Sequence, residues 1–110
     1  GLEFRKISET EYEFQTIIQD FHINAGGVTH GGFIMSMLDS GMGTAAHQVI
    51  KGRAVTISLN TNFIGGSKAR DKITGYAKIK KHTNTLIFMH GELRCEDKLL
   101  ATAEGIWKKL

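Results

Sequence analysis

The sequence predicts an α+β fold, an antiparallel β-sheet wrapped around one long central helix. Two observations carry this. Only residues 32–50, GFIMSMLDSGMGTAAHQVI, read as a helix, and most of the remaining chain alternates apolar and polar side chains at the two-residue period of strands. The segments after the helix follow one another through short links, which implies an antiparallel meander. One apolar helix and one such sheet have an economical solution, in which the sheet curls around the helix.

Each element has its own signal. A short strand is expected around Phe4 to Ile7. Residues 11–21, EYEFQTIIQDF, put Tyr12, Phe14, Thr16 and Ile18 on one side of a strand. In the helix, Phe33, Met37, Ala45 and Val49 form an apolar face. Gly32, Ser36, Ser40 and Gly43 recur every three or four residues, the kind of stripe a tightly wrapped sheet would need. Residues 54–64, AVTISLNTNFI, place Val55, Ile57, Leu59 and Phe63 on one face and Thr56, Ser58, Asn60 and Asn62 on the other, a half-buried strand. GGSKARD, 65–71, is a loop by its glycine and serine content. KITGYAKIKKHT follows with Ile73, Gly75, Ala77 and Ile79 in phase. HTNT turns into TLIFMHGELRC, EDK at 96–98 is the next hairpin turn, and LLATAEGIWKKL closes the sheet.

The totals narrow the function. The chain's 110 residues suit a single domain spanning 1–110. Fourteen Lys and Arg against eleven Asp and Glu leave a scattered +3, a solvated surface rather than a nucleic-acid patch. Cys95 is the only cysteine, which excludes an intrachain disulfide and points to a reducing, cytoplasmic compartment. No apolar run approaches the ~20 residues of a membrane span, and no secretory signal is visible. His22, His47, His82 and His90 show no zinc-binding spacing, so no metal is expected. Ser36 and Ser40 lack the context of a nucleophilic serine. Cys95, in a strand beside a charged turn, suits packing better than nucleophilic attack.

The chemistry gathers at the start of the helix. Gly31 and Gly32 stand where backbone N–H groups have no internal partner and carry the positive end of the helix dipole. Without side chains there, a ligand oxygen can approach closely, and a carbonyl can be polarised. The same pair also suits a tight strand-to-helix turn. Asp39, among Met37, Leu38, Gly41 and Met42, reads as a carboxylate in an apolar setting. Such a group is costly unless it is paired or used. It is either a general base or an ion-paired or solvated helix residue, with Arg53 and Arg70 as possible partners. Met35, Met37, Met42 and Phe63 are candidates to line an adaptable apolar pocket.

The run Asn24–x5–His30–Gly31–Gly32–x6–Asp39 resembles the PaaI-like hotdog thioesterases, where an Asn, an HGG triplet and a helix Asp stand in the same order and spacing. AVTISLNTNFI resembles that family's strand after the helix, and GYAKIKKHTNTLIFMHGELRCEDKLLATAEGIWK its closing meander. The resemblance covers nearly the whole chain from residue 11. It implies the hotdog fold and hydrolysis of a short- to medium-chain or aryl acyl-CoA to free acid and CoA. The Gly31 N–H would polarise the thioester carbonyl, and the Asn24 side chain would help hold it. Asp39 would activate water as general base, or attack as nucleophile. Thr56 stands where some members have a serine that positions the water. His30 would brace the turn or orient the site, and Gly32, Phe63 and Lys68 would contact substrate. Where the family often has a proline after this strand, the chain reads GGSK. Lys68, Arg70, Lys80 and Lys81 could meet the CoA phosphates or simply cap exposed strand ends.

The implied cofactor set is empty, CoA being part of the substrate. The implied partners are acyl-CoA and further copies of the chain, as a homodimer or dimer of dimers, with no nucleic acid and no membrane. A dimer also follows from helix geometry. Gly31 and Asp39 are eight residues apart, about 12 Å along the axis, too far for one carboxylate to serve a carbonyl held at its own helix start. Two other readings share the fold: a module that binds acyl-CoA or acyl-ACP without cleaving it, and a dehydratase or hydratase. A buried carboxylate argues against the first, and the absence of an acidic partner near His30 against the second.

Overall fold

A computed structural model describes residues 2–17, 31–68 and 70–110. Two strands, β1 (Glu3–Lys6) and β2 (Glu11–Ile17), precede the helix α1 (Gly31–Ile50). Four follow it: β3 (Ala54–Phe63), β4 (Lys72–His82), β5 (Leu86–Cys95) and β6 (Lys98–Lys109). The strands form one antiparallel sheet in the order β1-β2-β4-β5-β6-β3, with α1 packed on one face. This is the expected α+β architecture. Residues 18–21 of the expected second strand lie outside the described residues.

Alternation explains the sheet. On β4, Ile73, Gly75, Ala77 and Ile79 are buried, and on β5, Ile87, Met89, Gly91 and Leu93 are buried. The helix meets them with Ile34, Met37, Leu38, Met42, Ala45 and Ala46. Phe33 and Val49, expected on that face, pack at its margin. At the centre, the Phe14 ring lies between Gly41 of α1 and Gly75 of β4. A Cβ built at either position would stand within 2.4 Å of the ring, so only glycine admits it. Full burial of such a ring is worth about 1.5–3 kcal/mol.

Three expectations are corrected. First, Gly32, Ser36 and Ser40 are exposed and Gly43 is half-buried. The helix turns this stripe away from the sheet, and close approach falls to Gly41 instead. Second, the strands after the helix are not one sequential meander. β4, β5 and β6 are, but β3 pairs with β6 at the far edge and β4 pairs with β2. The link after β3 crosses the end of β6, where Ile64 and Gly65 donate their N–H groups to the Leu100 carbonyl and Lys98 Nζ donates to the Gly66 carbonyl.

The third correction concerns the faces of β3. Val55, Ile57 and Phe63 are 42%, 52% and 55% exposed, although a single apolar face is expected to be buried. The pairing of β3 with β6 slips between Thr56 and Ser58, a β-bulge that leaves Ile57 without a register partner. Such a bulge inverts the alternation. Before it, Ala54 and Thr56 face the helix, and after it Leu59 packs against the core. Val55 and Ile57 consequently point outward on an edge strand.

Candidate active site

Helix α1 carries the candidate site along its exposed side. Its first turn holds no acidic residue, so no carboxylate of that turn competes for the N–H groups at Gly31 and Gly32. Both glycines are exposed. The Phe63 ring stands beside the helix start, 3.6 Å from where a Cβ on Gly31 would be, and it would close one flank of a group bound at these N–H groups. Asn24 and His30 lie outside the described residues.

Two turns along, Asp39 and Thr56 meet. The Thr56 hydroxyl donates to Asp39 Oδ1 at 2.9 Å. This corrects the expectation of a carboxylate sunk among apolar groups. Met37, Leu38, Gly41 and Met42 are buried, but Asp39 and Ser40 project from the other side of the helix and are exposed in the single chain. The 100° turn per residue separates chain neighbours from spatial neighbours. The hydrogen-bond partner is Thr56, not Arg53 or Arg70. The same rotation corrects the pocket expectation. Met37 and Met42 belong to the core, whereas Met35 and Phe63 are exposed and free to touch a ligand.

A depression of about 290 Å³ opens beside this pair, lined by Asp39, Ser40, Gly43, Thr44, His47, Ala54, Thr56 and Trp107. Thr44 Oγ1 donates to the Ser40 carbonyl, a bond internal to the helix. His47 Nε2 lies 3.1 Å from the Ala54 carbonyl oxygen. His47 escaped the reading of the sequence, which sought histidines in metal spacing. The usable signal was its distance of eight residues from Asp39, which keeps both on one helical face.

Of the cations suggested for phosphates, Lys68 is exposed, and its backbone N–H donates to Asp71 Oδ2 at 2.7 Å. Arg70 adopts a left-handed backbone, φ 69°. Lys80 is committed elsewhere, to Glu104 at 3.1 Å. Cys95 is half-buried, and burial, together with Asp71 and Glu96, pushes its thiol up, away from nucleophilic use.

A second titratable cluster covers the outer face of the sheet. His90 Nε2 meets Glu92 at 3.0 Å, and His90 Nδ1 meets Glu104 on the neighbouring strand. Arg94 pairs with Glu92 at 3.1 Å. Burial alone would lower the His90 pKa, but the hydrogen bonds to Glu92 and Glu104 outweigh it and raise it. Nearby, Tyr76 donates to Glu11, which holds the phenol up at about 12.

Comparison with known proteins agrees with this fold. The family model of the Thioesterase superfamily matches residues 26–102. An uncharacterized acyl-CoA thioester hydrolase of Buchnera aphidicola is 34% identical over 74 residues, 66% of this chain and 55% of that protein, so the match spans only about half of the relative. Two solved structures share the hotdog fold. A mutant of the phenylacetic acid degradation protein PaaI from Thermus thermophilus superposes with a TM-score of 0.90 at 23% identity, covering 100% of this chain and 94% of that one. A hypothetical thioesterase from Streptococcus pneumoniae with coenzyme A superposes at 0.88 and 17% identity, covering 98% of this chain and 84% of that one. The match over residues 26–102 takes in the helix that carries Gly31 and Asp39 and the strand that carries Thr56, and by it the chain belongs to the thioesterase superfamily.

Proposed function

We propose that this thioester hydrolase cleaves short- to medium-chain or aryl acyl-CoA, with Asp39 activating the attacking water. The observation that carries the reading is the exposed Asp39 carboxylate, oriented by the Thr56 hydroxyl on a helix whose start is bare glycine. The coenzyme A bound to the S. pneumoniae thioesterase and the name of the B. aphidicola relative support acyl-CoA as substrate. The exposed Met35 and Phe63 favour an apolar acyl group.

In this mechanism the Gly31 N–H and the Asn24 side chain hold the thioester carbonyl oxygen. Gly32 leaves room for it, Phe63 flanks it, His30 braces the turn, and Lys68 faces the CoA phosphates. Asp39 takes a proton from water as the water oxygen attacks the carbonyl carbon. The tetrahedral intermediate then collapses, the C–S bond breaks, and CoA leaves as the thiol with the proton returned. Attack by the carboxylate itself, through an anhydride hydrolysed in a second step, uses the same residues.

The chain works as a homodimer, or a dimer of dimers, with shared sites. Helix geometry puts Asp39 about 12 Å along the axis from Gly31, so each carboxylate serves the carbonyl held by the other subunit. The exposed apolar side chains of the β3 edge supply a surface for that pairing.

The test is release of free thiol from a panel of acyl-CoA thioesters. The wild type should act on them and spare simple oxygen esters lacking CoA. Asp39→Ala should lower kcat by roughly 10²- to 10⁴-fold, the usual loss for a positioned base, while its circular-dichroism spectrum stays native. Normal turnover by this variant would remove Asp39 from the mechanism. Binding of acyl-CoA without any thiol release would make the chain a binding module.

A further inference from the structure

Asp39, Gly43 and His47 fall four residues apart and form one stripe on α1. Each meets the beginning of β3 or its neighbour on β6. The Thr56 hydroxyl donates to Asp39 Oδ1 at 2.9 Å. Trp107, the register partner of Thr56, brings its indole Nε1 to 3.5 Å from where a Cβ on Gly43 would stand. His47 Nε2 stands 3.1 Å from the Ala54 carbonyl oxygen. A carbonyl oxygen only accepts, so Nε2 carries the proton and donates it.

The third contact matters because of where β3 is weak. It is an edge strand, paired only with β6 among the described residues. Its first residue, Ala54, pairs with Lys109, the last residue of β6, and beyond that pair the Leu110 N–H donates to the Arg53 carbonyl at the end of the ladder. Just past Thr56 the ladder is broken again by the bulge at Ile57. Thr56 therefore sits on a short piece of strand between an end and an irregularity. Bulges next to active sites re-aim side chains, and here the bulge is what turns Thr56 toward Asp39. Regular pairing holds that piece from the β6 side only. From the helix side, His47 grips it at Ala54, two residues before Thr56 and on the same face.

We propose that His47 is a positioning residue for the hydrolysis: by clamping the Ala54 carbonyl, it fixes the strand segment that holds the Thr56 hydroxyl on Asp39. The inference rests on the reading of Asp39 as the group that activates water. His47 touches neither substrate nor water. It acts through the backbone of Ala54 and the side chain of Thr56. Displacement of a reacting group by about 1 Å costs as much as 10²-fold in rate, so a partial loosening should cost about 10-fold.

The experiment is steady-state kinetics on one acyl-CoA that the wild type hydrolyses, with five variants. His47→Ala should lower kcat about 10-fold and leave KM within about twofold, the pattern of a lost transition-state interaction. His47→Gln should recover most of that loss, because its amide N–H can donate to the Ala54 carbonyl. Thr56→Val should lower kcat at least as far as His47→Ala. The double variant His47→Ala/Thr56→Val should be no slower than Thr56→Val alone, since the two act in series. Wild-type kcat in His47→Ala overturns the proposal. So does a double variant whose losses multiply, and so does failure of His47→Gln to rescue while His47→Ala is slow. Asp39→Asn separates the two levels. If it is inactive while His47→Ala turns over normally, only the positioning role falls. If it is active, the general-base reading falls and the clamp falls with it.

Discussion

His90 shows how a single residue can make stability depend on pH. Both of its ring nitrogens face carboxylates, Glu92 through Nε2 and Glu104 through Nδ1. Only the imidazolium, with two N–H donors, satisfies both. Its folded pKa is raised above 6.5 by those hydrogen bonds, against the opposing effect of burial. A raised pKa means that the stabilisation is fully present below about 6.5 and is lost as pH rises through the folded value. Glu92 works in the other direction. The hydrogen bond from His90 lowers its pKa first of all, with Arg94 adding to it, so its share is present above about 4.5 and lost as pH falls through the folded value. The melting temperature of the wild type should therefore exceed that of His90→Gln most clearly between about pH 5 and 6.5, and the gap should narrow toward pH 8. Thermal unfolding across that range measures it. A constant gap would mean that His90 contributes by packing alone.

Among the elements, the contact of helix and sheet turns on two glycines and one ring. Gly41 in α1 and Gly75 in β4 enclose Phe14 so closely that a Cβ at Gly41 would sit 2.4 Å from the ring. Two effects of Gly41→Ala oppose each other. Alanine favours the helix by about 1 kcal/mol. Overpacking a tight core costs about 1–3 kcal/mol, and here the ring has no room to move, since Gly75 blocks the other side. The second effect wins, and Gly41→Ala should lower the melting temperature by several degrees, read by thermal or urea unfolding. A more stable Gly41→Ala would show that the ring moves aside easily. Strand β3 makes the complementary point. Its composition reads as one strand with one apolar face, yet a single slip in pairing at Ile57 divides it into two halves of opposite facing. The first half gives the site its Thr56, and the second gives the core its Leu59.

For the whole molecule, the single chain leaves Met35, Val55, Ile57, Phe63 and Ile64 exposed. Burying such a surface between two copies would remove further apolar area from water. A two-fold axis would then bring each Asp39 to the other chain's helix start. Subunit complementation tests it. Asp39→Ala and the double variant Asn24→Ala/Gly31→Val should each be inactive. When their subunits exchange, each heterodimer holds one intact site and one site with both defects, so its activity should return toward half of the wild type. Heterodimers confirmed by mass yet inactive would overturn the shared site.

The sequence alone determined what local chemistry can express. The helix read at 32–50 and found at 31–50, the alternation of Ile73, Gly75, Ala77 and Ile79, and the turn read at 96–98 and found between Cys95 and Lys98 follow from periodicity and turn residues, which are properties of short stretches. The family was legible because Asn24, the HGG triplet and Asp39 keep their order and spacing in the sequence. Tertiary structure decided the rest. Which side of α1 meets the sheet is set by packing across the whole core, so Asp39 proved exposed and Met42 buried, although both have apolar neighbours in the chain. Whether β3 neighbours β4 or β6 depends on the path of one link over the strand ends. That one strand gives both Thr56 to Asp39 and Leu59 to the core depends on a bulge, and a bulge is a mismatch between two strands. One strand's sequence cannot announce it, because the extra residue is extra only in relation to the partner it pairs with.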